Sequence, residues 1–342
     1  MSASRVLRAG TFSLRWRPRS VAVCVLLAAI ALGAAVVVVG TGDFPLSVAE
    51  VLGALTGQGD RATEFIVLNL RLPRAVTGLL AGIALGLSGA IFQSITRNPL
   101  GSPDLIGFTT GSATGALLQI LVIGGGTAAI AASSMLGAVL TALAVYLVAY
   151  RGGVHGYRLV LVGVAAAAML ESFNAYLITR AELREAYEAA FWLTGSLNGR
   201  NWQHAWPLAA GVAVLAPVAL AFGRRLRMGE LGDDAALALG VPVQRTRAAL
   251  VVTGVGLVAV ATAAVGPVPF VALAAPQLAR RLTGLPGTQP VPAALMGAAL
   301  LVVSDLVTLR LPIPLPVGVV TGVLGGVYLV WLLSTEGARG RA

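Results

Sequence analysis

Residues 71–115 carry the sequence RLPRAVTGLLAGIALGLSGAIFQSITRNPLGSPDLIGFTTGSATG. Between Arg74 and Arg97 no residue is charged and most are apolar. A run of about 20 such residues has the length of a helix that crosses a bilayer. The apolar residues follow one another without alternation, whereas a membrane-spanning β-strand alternates and is about half as long. The stretch therefore predicts a transmembrane helix joined by a short turn to a second one.

Glycine recurs at every fourth residue within both runs of this stretch. Lipid offers no hydrophobic gain when helices pair, so small residues that let two backbones approach supply the contact instead. We therefore expect both runs to pack closely against neighbouring helices. The glycines are Gly78, Gly82 and Gly86 in the first run and Gly107, Gly111 and Gly115 in the second.

The composition extends this interpretation to the whole chain. Of its 342 residues, 57% are apolar and 11% are charged, whereas soluble chains carry about 25% charged residues. The predicted fold class is all-α, a polytopic membrane bundle of about ten transmembrane helices. The ten apolar runs are residues 21–40, 74–95, 105–123, 127–150, 159–179, 202–222, 248–265, 268–282, 291–309 and 315–333.

The runs also predict the domain organisation and the orientation. Residues 1–20 form an N-terminal segment, residues 21–333 the transmembrane domain with a long loop at 223–247, and residues 334–342 a tail. With an even number of spans both termini share one side, and most of the arginines fall on that side. Because arginine collects on the cytoplasmic side, we expect both termini to be cytoplasmic.

Rare residue types exclude several classes of function. The chain has no lysine, so it can have neither the lysine of a nucleotide-binding P-loop nor a Schiff-base lysine. One cysteine, Cys24, and two histidines, His155 and His204, exclude a disulfide framework and a Cys/His metal cluster. We therefore predict no P-loop or Schiff-base enzyme activity, no cofactor bound through such groups and no metal site. Membrane topology explains the net charge of +10 better than nucleic-acid binding does.

Arg71 and Arg74 flank Leu72 and Pro73 where the second span is expected to begin, on the outer face. Pro73 suits the first turn of a helix, where its missing N–H would be unpaired anyway. Two arginines on the outer face oppose the positive-inside bias, and they form a cationic site for an acidic partner. The alternative is that both side chains extend to lipid headgroups.

The loop at 223–247 contains a short segment predicted to be helical outside the membrane. Acidic residues occupy its first turn, where the helix dipole favours them, and a glycine followed by a proline closes it. So short a helix is unstable alone in water and must pack on something, either another protein or, as a mere connector, its own chain. The segment comprises Gly232, Asp233, Asp234, Ala235, Ala236, Leu237, Leu239 and Gly240.

Asn98 and Pro99 lie in the turn between the second and third spans, on the inner face. Two prolines, Pro99 and Pro103, end one helix and delay the next. A structural turn and the lining of an inner gate both fit this pattern.

Glu171 lies near the middle of the fifth span. A charge at the bilayer centre costs about 3 kcal/mol on insertion scales, so we expect this side chain to face a cavity or to be protonated. Asn174 and Arg180 on the same helix are candidate partners. Since Glu171 is almost the only acid within a predicted span, a relay of several carboxylates is not available.

Five motifs in order carry a resemblance to a known family. They are residues 71–115, GSLNGRNW at 195–202, GDDAALALGV at 232–241, GPVPFVALAAPQLARRL at 266–282 and LPVGVVTGVLGGVYL at 315–329. The chain resembles the permeases that import iron–siderophores, haem and vitamin B12 with ATP-binding cassette ATPases, from the first span to the tenth. Within this family IFQS, RNPLGSPD and GSLNG are most similar to ferric-enterobactin permease subunits.

The resemblance implies an assembly in the bacterial cytoplasmic membrane. Two permeases, non-identical paralogues or a homodimer, surround one pathway above two ATPase subunits, and an extracytoplasmic substrate-binding protein docks on top. The docking arginines of the family match Arg71, Arg74 and, with different spacing, Arg310. The helix that couples to the ATPase matches Asp233 to Leu239. Gln277 stands where the family usually has histidine.

The expected function is therefore that of a permease subunit for a ferric siderophore, powered by a separate ATPase. Haem or vitamin B12 is the alternative cargo within the family. An ion-coupled secondary transporter is the alternative from another class, but it requires more charge within the membrane than Glu171 provides.

Overall fold

The computed structural model describes residues 5–9, 12–42, 44–150, 153, 156–313 and 315–339. His155 lies outside this part, and so do residues 1–4 and 340–342. The predicted N-terminal segment and tail are therefore described only in part.

The described chain is helical apart from one hairpin near its start. Strands β1 (Arg5–Ala9) and β2 (Phe12–Trp16) pair antiparallel, which the sequence did not lead us to expect. The helices are α1 (Pro18–Gly40), α2 (Val48–Leu55), α3 (Arg61–Phe65), α4 (Leu72–Thr96), α5 (Phe108–Leu118), α6 (Thr127–Ala149), α7 (Gly156–Arg180), α8 (Leu183–Leu193), α9 (Trp202–Ala221), α10 (Gly223–Gly229), α11 (Asp233–Ala238), α12 (Val243–Val265), α13 (Val271–Thr283), α14 (Pro290–Arg310) and α15 (Val317–Arg339).

Each of the ten predicted runs coincides with a helix. The matching helices are α1, α4, α5, α6, α7, α9, α12, α13, α14 and α15. In the described part, seven helical stretches are long and apolar enough to cross a membrane, while Phe108–Ile123 and Val317–Trp331 are apolar but shorter. The predicted all-α membrane bundle is confirmed, and the count of ten crossings stays a prediction.

The second span begins earlier than predicted. Asp60 caps α3 by accepting a hydrogen bond from the Thr63 N–H, and the helix then continues through a π-helical segment, Ile66–Arg71, into α4. Pro73 therefore lies inside a continuous helix and not in its first turn. The N–H of Leu72 donates to the Val67 carbonyl five residues earlier, as in a π-helix. This wider turn comes just before Pro73, which has no N–H to donate.

Helix α4 lies at the centre of the bundle against α14, α12, α13 and α9. At Gly82 the backbone of Gly297 and Ala298 on α14 occupies the space that a Cβ would need, and at Gly86 the carbonyl of Ala293 does the same. Gly78 contacts only side-chain ends, those of Leu197 and Val302. The glycines thus set how closely α4 and α14 approach.

Helices α5 and α6 also pack through glycine. Gly111 faces Gly137 and Thr141 on α6, and Gly115 faces the Ser133 carbonyl. Gly107 also packs on a neighbouring helix, α7, but it precedes α5 as its N-cap with φ +84° and does not lie within the helix. The bundle has two opposite ends, because the 25 residues of α4 separate Arg71 from Arg97 by about 38 Å. We call them the Arg71 end and the Asp233 end.

Candidate functional site

A wide cavity of about 1020 Å³ opens at the Arg71 end. It lies among α1, the π-helical segment, the start of α4, the loop before α9 and the end of α14. The predicted docking residues Arg71, Arg74 and Arg310 all line it, and so does Arg200. Four guanidinium groups thus line one opening, although they come from three separate parts of the sequence.

Arg71 is held by backbone carbonyls. Its Nη1 donates to the Val39 carbonyl at 3.1 Å, and its Nη2 donates to the Phe44 carbonyl at 2.5 Å. These bonds fix the segment after α1 against the start of α4. The side chain is half-buried, so part of it faces the opening.

Arg74 forms an ion pair with Asp305 of α14. Its Nε and Nη2 donate to the two carboxylate oxygens at 2.9 and 2.7 Å, and its Nη1 donates to Asn198 Oδ1 at 2.9 Å. Asp305 is 1% exposed. The expectation that Glu171 is almost the only acid within a span is therefore wrong, because Asp305 lies in the ninth predicted run. A buried acid in an apolar run needs a cationic partner, so the position of Asp305 in the sequence already indicated that it would be paired with an arginine.

Arg200 and Arg310 complete the ring of cations. Arg310 is the last residue of α14 and is exposed. Arg200 donates from Nε to the Ser196 carbonyl at 3.0 Å, and its Nη1 lies 3.0 Å from His204 Nε2. Burial lowers the pKa of the Arg200 guanidinium. Arg200 stands within the motif GSLNGRNW at 195–202, but no pattern in the sequence marks it as a site residue.

At the Asp233 end, α11 is a six-residue helix bounded by two glycines with positive φ, Gly232 at +113° and Gly240 at +78°. Its prediction extended one residue further, to Leu239. Ala236 is fully buried and packs with Val241, Val243 and Met228. Asp234 is exposed and Ala235 is half-buried. The remaining surface is apolar, because Leu231, Leu237 and Leu239 are each more than half exposed.

Two arginines hold the first residue of α11. Asp233 accepts from Arg97, which follows α4, and from Arg247 Nη2 of α12 at 2.9 and 3.2 Å. Partial burial alone would raise the pKa of Asp233, but Arg247 and then Arg97 outweigh it and hold that pKa below its usual value. The carboxylate therefore stays ionised.

The inner turn lies beside α11 and lines a second cavity of about 240 Å³. Asn98 accepts the Leu100 N–H at its Oδ1, at 2.9 Å, and so closes the turn. The Pro99 carbonyl lies 3.5 Å from Gln277 Nε2, which also donates to Gln93 at 2.6 Å. Arg280 Nη2 donates to the side-chain amide oxygen of Gln277, Oε1, at 3.2 Å. The predicted gate residues thus meet α13 through Gln277.

Comparison with known proteins identifies the family. The model of the FecCD transport family matches residues 23–335. This chain belongs to the FecCD transport family. The FecCD match includes both the Arg71 end and the Asp233 end.

Individual relatives agree with the FecCD assignment. The Ferric enterobactin transport system permease protein FepG of Escherichia coli K12 is 43% identical over 92% of this chain and 96% of its own length. FepD, another ferric enterobactin permease of that strain, is 35% identical over 95% and 98%. A solved chain of a metal-chelate type ABC transporter in an inward-facing conformation matches with a TM-score of 0.83 and 26% identity, over 92% of this chain and 99% of that one.

Glu171 of this FecCD chain lines neither of the two cavities described above. Its side chain is exposed on α7, Asn174 is buried and Arg180 lies over the Tyr176 ring. The expected partnership with these two residues is therefore not seen. Helix α7 packs on α5 and α6 at one edge of the bundle. The described residues leave its other face uncovered, which explains why Glu171 is exposed.

Metal-binding residues do not cluster in the part of this FecCD chain that the structure describes. No group of three or more His, Cys, Asp or Glu residues there could hold a metal ion. Gln277, which stands where the family usually has histidine, is buried and satisfied by other amides and Arg280.

Proposed function

We propose that this chain is a permease subunit of an ATP-driven importer that carries a ferric siderophore across the bacterial cytoplasmic membrane. The observation that supports it best is the likeness to a ferric enterobactin permease along nearly the whole chain. The chain has no lysine for a P-loop, so separate ATPase subunits supply the energy. The cargo crosses with its chelator, since the described residues offer no ligand cluster for a bare ion.

The Arg71 end is the proposed docking surface for an extracytoplasmic binding protein. Arg310 and Arg71 supply cationic charge at the rim of a wide opening, which suits acidic groups on a partner. Arg74 is already paired with Asp305. Its contribution is therefore to hold α4 against α14 beneath the rim, and the exposed Arg310 is the foremost docking candidate, with Arg71 beside it at the opening.

The Asp233 end is the proposed ATPase contact. Three exposed leucines on and beside α11 form an apolar patch outside the bundle, and such a patch calls for a partner. An ATPase at the Asp233 end places this end in the cytoplasm. The cytoplasmic parts of the chain are then the 223–247 loop, the segment 1–20 and the tail 334–342, in agreement with the arginine distribution.

A second permease completes the pathway in this proposal. FepG and FepD are two ferric enterobactin permeases of one strain, and both are similar to this chain. This supports a non-identical paralogue as the partner. The uncovered face of α7, which carries Glu171, would then line a space between the two subunits, with lipid around the outside and no nucleic acid involved.

Reconstitution tests the proposal. The chain, its paralogue, the ATPase and the binding protein are placed in sealed vesicles, and uptake is measured for ferric siderophores, haem and cobalamin. We expect ATP-dependent uptake with a ferric siderophore as the best cargo. Preference for haem or cobalamin would refute the cargo. Uptake by the chain alone, driven by an ion gradient, would refute the whole proposal and favour a secondary transporter.

A further inference from the structure

One guanidinium ties two helices of the 223–247 loop to the end of α4. Arg97 follows the last residue of α4 in the left-handed conformation, with φ +49°. Its Nε donates to the Gly229 carbonyl at the end of α10, at 3.0 Å, and its Nη2 donates to Asp233 at the start of α11. The next two residues are Asn98 and Pro99, so the tie reaches the inner turn directly.

The same carboxylate is shared with a third helix. Arg247 of α12 donates to both oxygens of Asp233 and is only 8% exposed. Asp233 therefore joins the ends of two long helices, α4 and α12, which also pack on each other. A displacement of α11 cannot leave both arginines in place.

Apolar packing alone holds α11 weakly. Its buried cluster consists of Ala236, Val241 and Val243, with Met228 beside them. A helix of six residues has no stability of its own in water. The polar contacts at Asp233 consequently fix the direction in which α11 lies and link it to the membrane-spanning helices.

We propose that Asp233 is the positioning residue through which movement of α11 reaches the bundle, and that Arg97 transmits this movement to the turn at Asn98 and Pro99. This inference rests on the proposed function, because it requires an ATPase that moves α11. The Arg97–Asp233 pair is partly exposed on both sides. Exposed pairs add little to stability, so Arg97→Gln should leave the fold intact while the link is lost. In Asp233→Asn the amide oxygen can still accept from the buried Arg247, which keeps that arginine paired.

The test uses the complete reconstituted transporter with Arg97→Gln, Asp233→Asn and the double variant. ATP hydrolysis and cargo uptake are measured separately, and cargo moved per ATP is the readout. We expect this ratio to fall by about 2- to 30-fold, as is typical for residues that link two coupled sites. Hydrolysis and assembly should persist. Because Arg97 also contacts Gly229 and Asp233 also contacts Arg247, the loss in the double variant should exceed either single loss but stay well below their product. Arg245→Gln, at an exposed arginine two residues before Arg247, is the matched control.

An unchanged ratio in both single variants would overturn the inference, and so would losses that multiply in the double variant, because they would show two independent effects. Failure of the proposed function is distinguishable, since the unmodified transporter would then show no ATP-driven uptake. Hydrogen exchange gives a readout that needs no transport. Asp233→Asn should speed exchange at the amides of Asn98 and Gly101, which close the turn, and unchanged exchange there also overturns the inference.

Discussion

Asp305 is a carboxylate inside a membrane helix, and its two oxygens are both used by Arg74. We expect Asp305→Asn to lower the free energy of unfolding by about 3 kcal/mol, at the low end for a broken buried pair, because Arg74 borders the open cavity. Thermal unfolding of the purified protein measures this loss. Arg310→Gln, at an exposed arginine of the same helix, should change stability little. Equal stability of both variants and the unmodified protein would show that the pair is not structural.

Asp104 is an acid in the turn between α4 and α5 whose side chain is half-buried and whose Oδ2 is fully buried. Burial raises its pKa to about 6, although a hydrogen bond from Thr109 at 2.5 Å opposes the shift, and its Oδ2 has no partner among the described residues. The folded state thus binds the proton more tightly than the unfolded chain does. The penalty of the charged form is complete above pH 6 and disappears as the pH falls towards 4.

As the pH falls from 7 to 4, protonation of Asp104 should therefore raise the free energy of unfolding by about 3 kcal/mol, at 1.4 kcal/mol per pKa unit. Unfolding of Asp104→Asn and of the unmodified protein, compared across this range, isolates the contribution. The difference between the two should shrink as the pH falls. A difference that is constant with pH would show that Asp104 does not titrate there.

At the scale of elements, the contact between α4 and α14 depends on glycines of α4. The backbone of α14 lies where a side chain at these positions would be. Gly86→Ala places a methyl group against the Ala293 carbonyl, and backbone cannot rotate away as a side-chain end can. We expect a loss of about 1–3 kcal/mol in stability, as for other overpacked sites. Gly326→Ala in α15 is the control, since nothing lies within 4 Å of its position. If both variants unfold at the same temperature, close approach does not stabilise this pair.

The ten runs were predictable because a bilayer demands a fixed length of apolar chain, and length can be read from sequence. The true start of the second helix could not be predicted in this way. Charged residues stand at Arg61, Glu64 and Arg71, so an apolar run bounded by charge begins only at Arg74. Only the Asp60 cap and the π-helical segment carry the helix back to Arg61, and neither has a clear pattern in one sequence.

At the scale of the molecule, Arg71, Arg74 and Arg310 could be selected from the sequence, whereas Arg200 and the arrangement of the four arginines could not. Arg74 and Asp305 are 231 residues apart. Their pairing follows from how α4 packs on α14, which the glycine spacing predicts only as a close contact with an unnamed neighbour. The same holds for Asp233, whose two arginines come from α12 and from the residue that follows α4.

The proposed docking role belongs to the arginines of the Arg71 end together, and charge reversal there tests how the role is divided among them. Arg71→Glu combined with Arg310→Glu should weaken association with an acidic binding protein by about tenfold or more, mainly through slower association, because charge at a rim steers encounter. The effect should diminish at high salt. Surface plasmon resonance with the reconstituted transporter measures both rates.

Arg224→Glu combined with Arg227→Glu makes the same change of charge at exposed positions of α10, at the Asp233 end. This control should leave association unchanged, since the screening length is about 8 Å at physiological salt while the ends are about 38 Å apart. Arg74→Gln should act through stability, because Asp305 then loses its partner. If Arg74→Gln slowed association as much as the rim variants without loss of stability, Arg74 would be a docking residue and not a structural one.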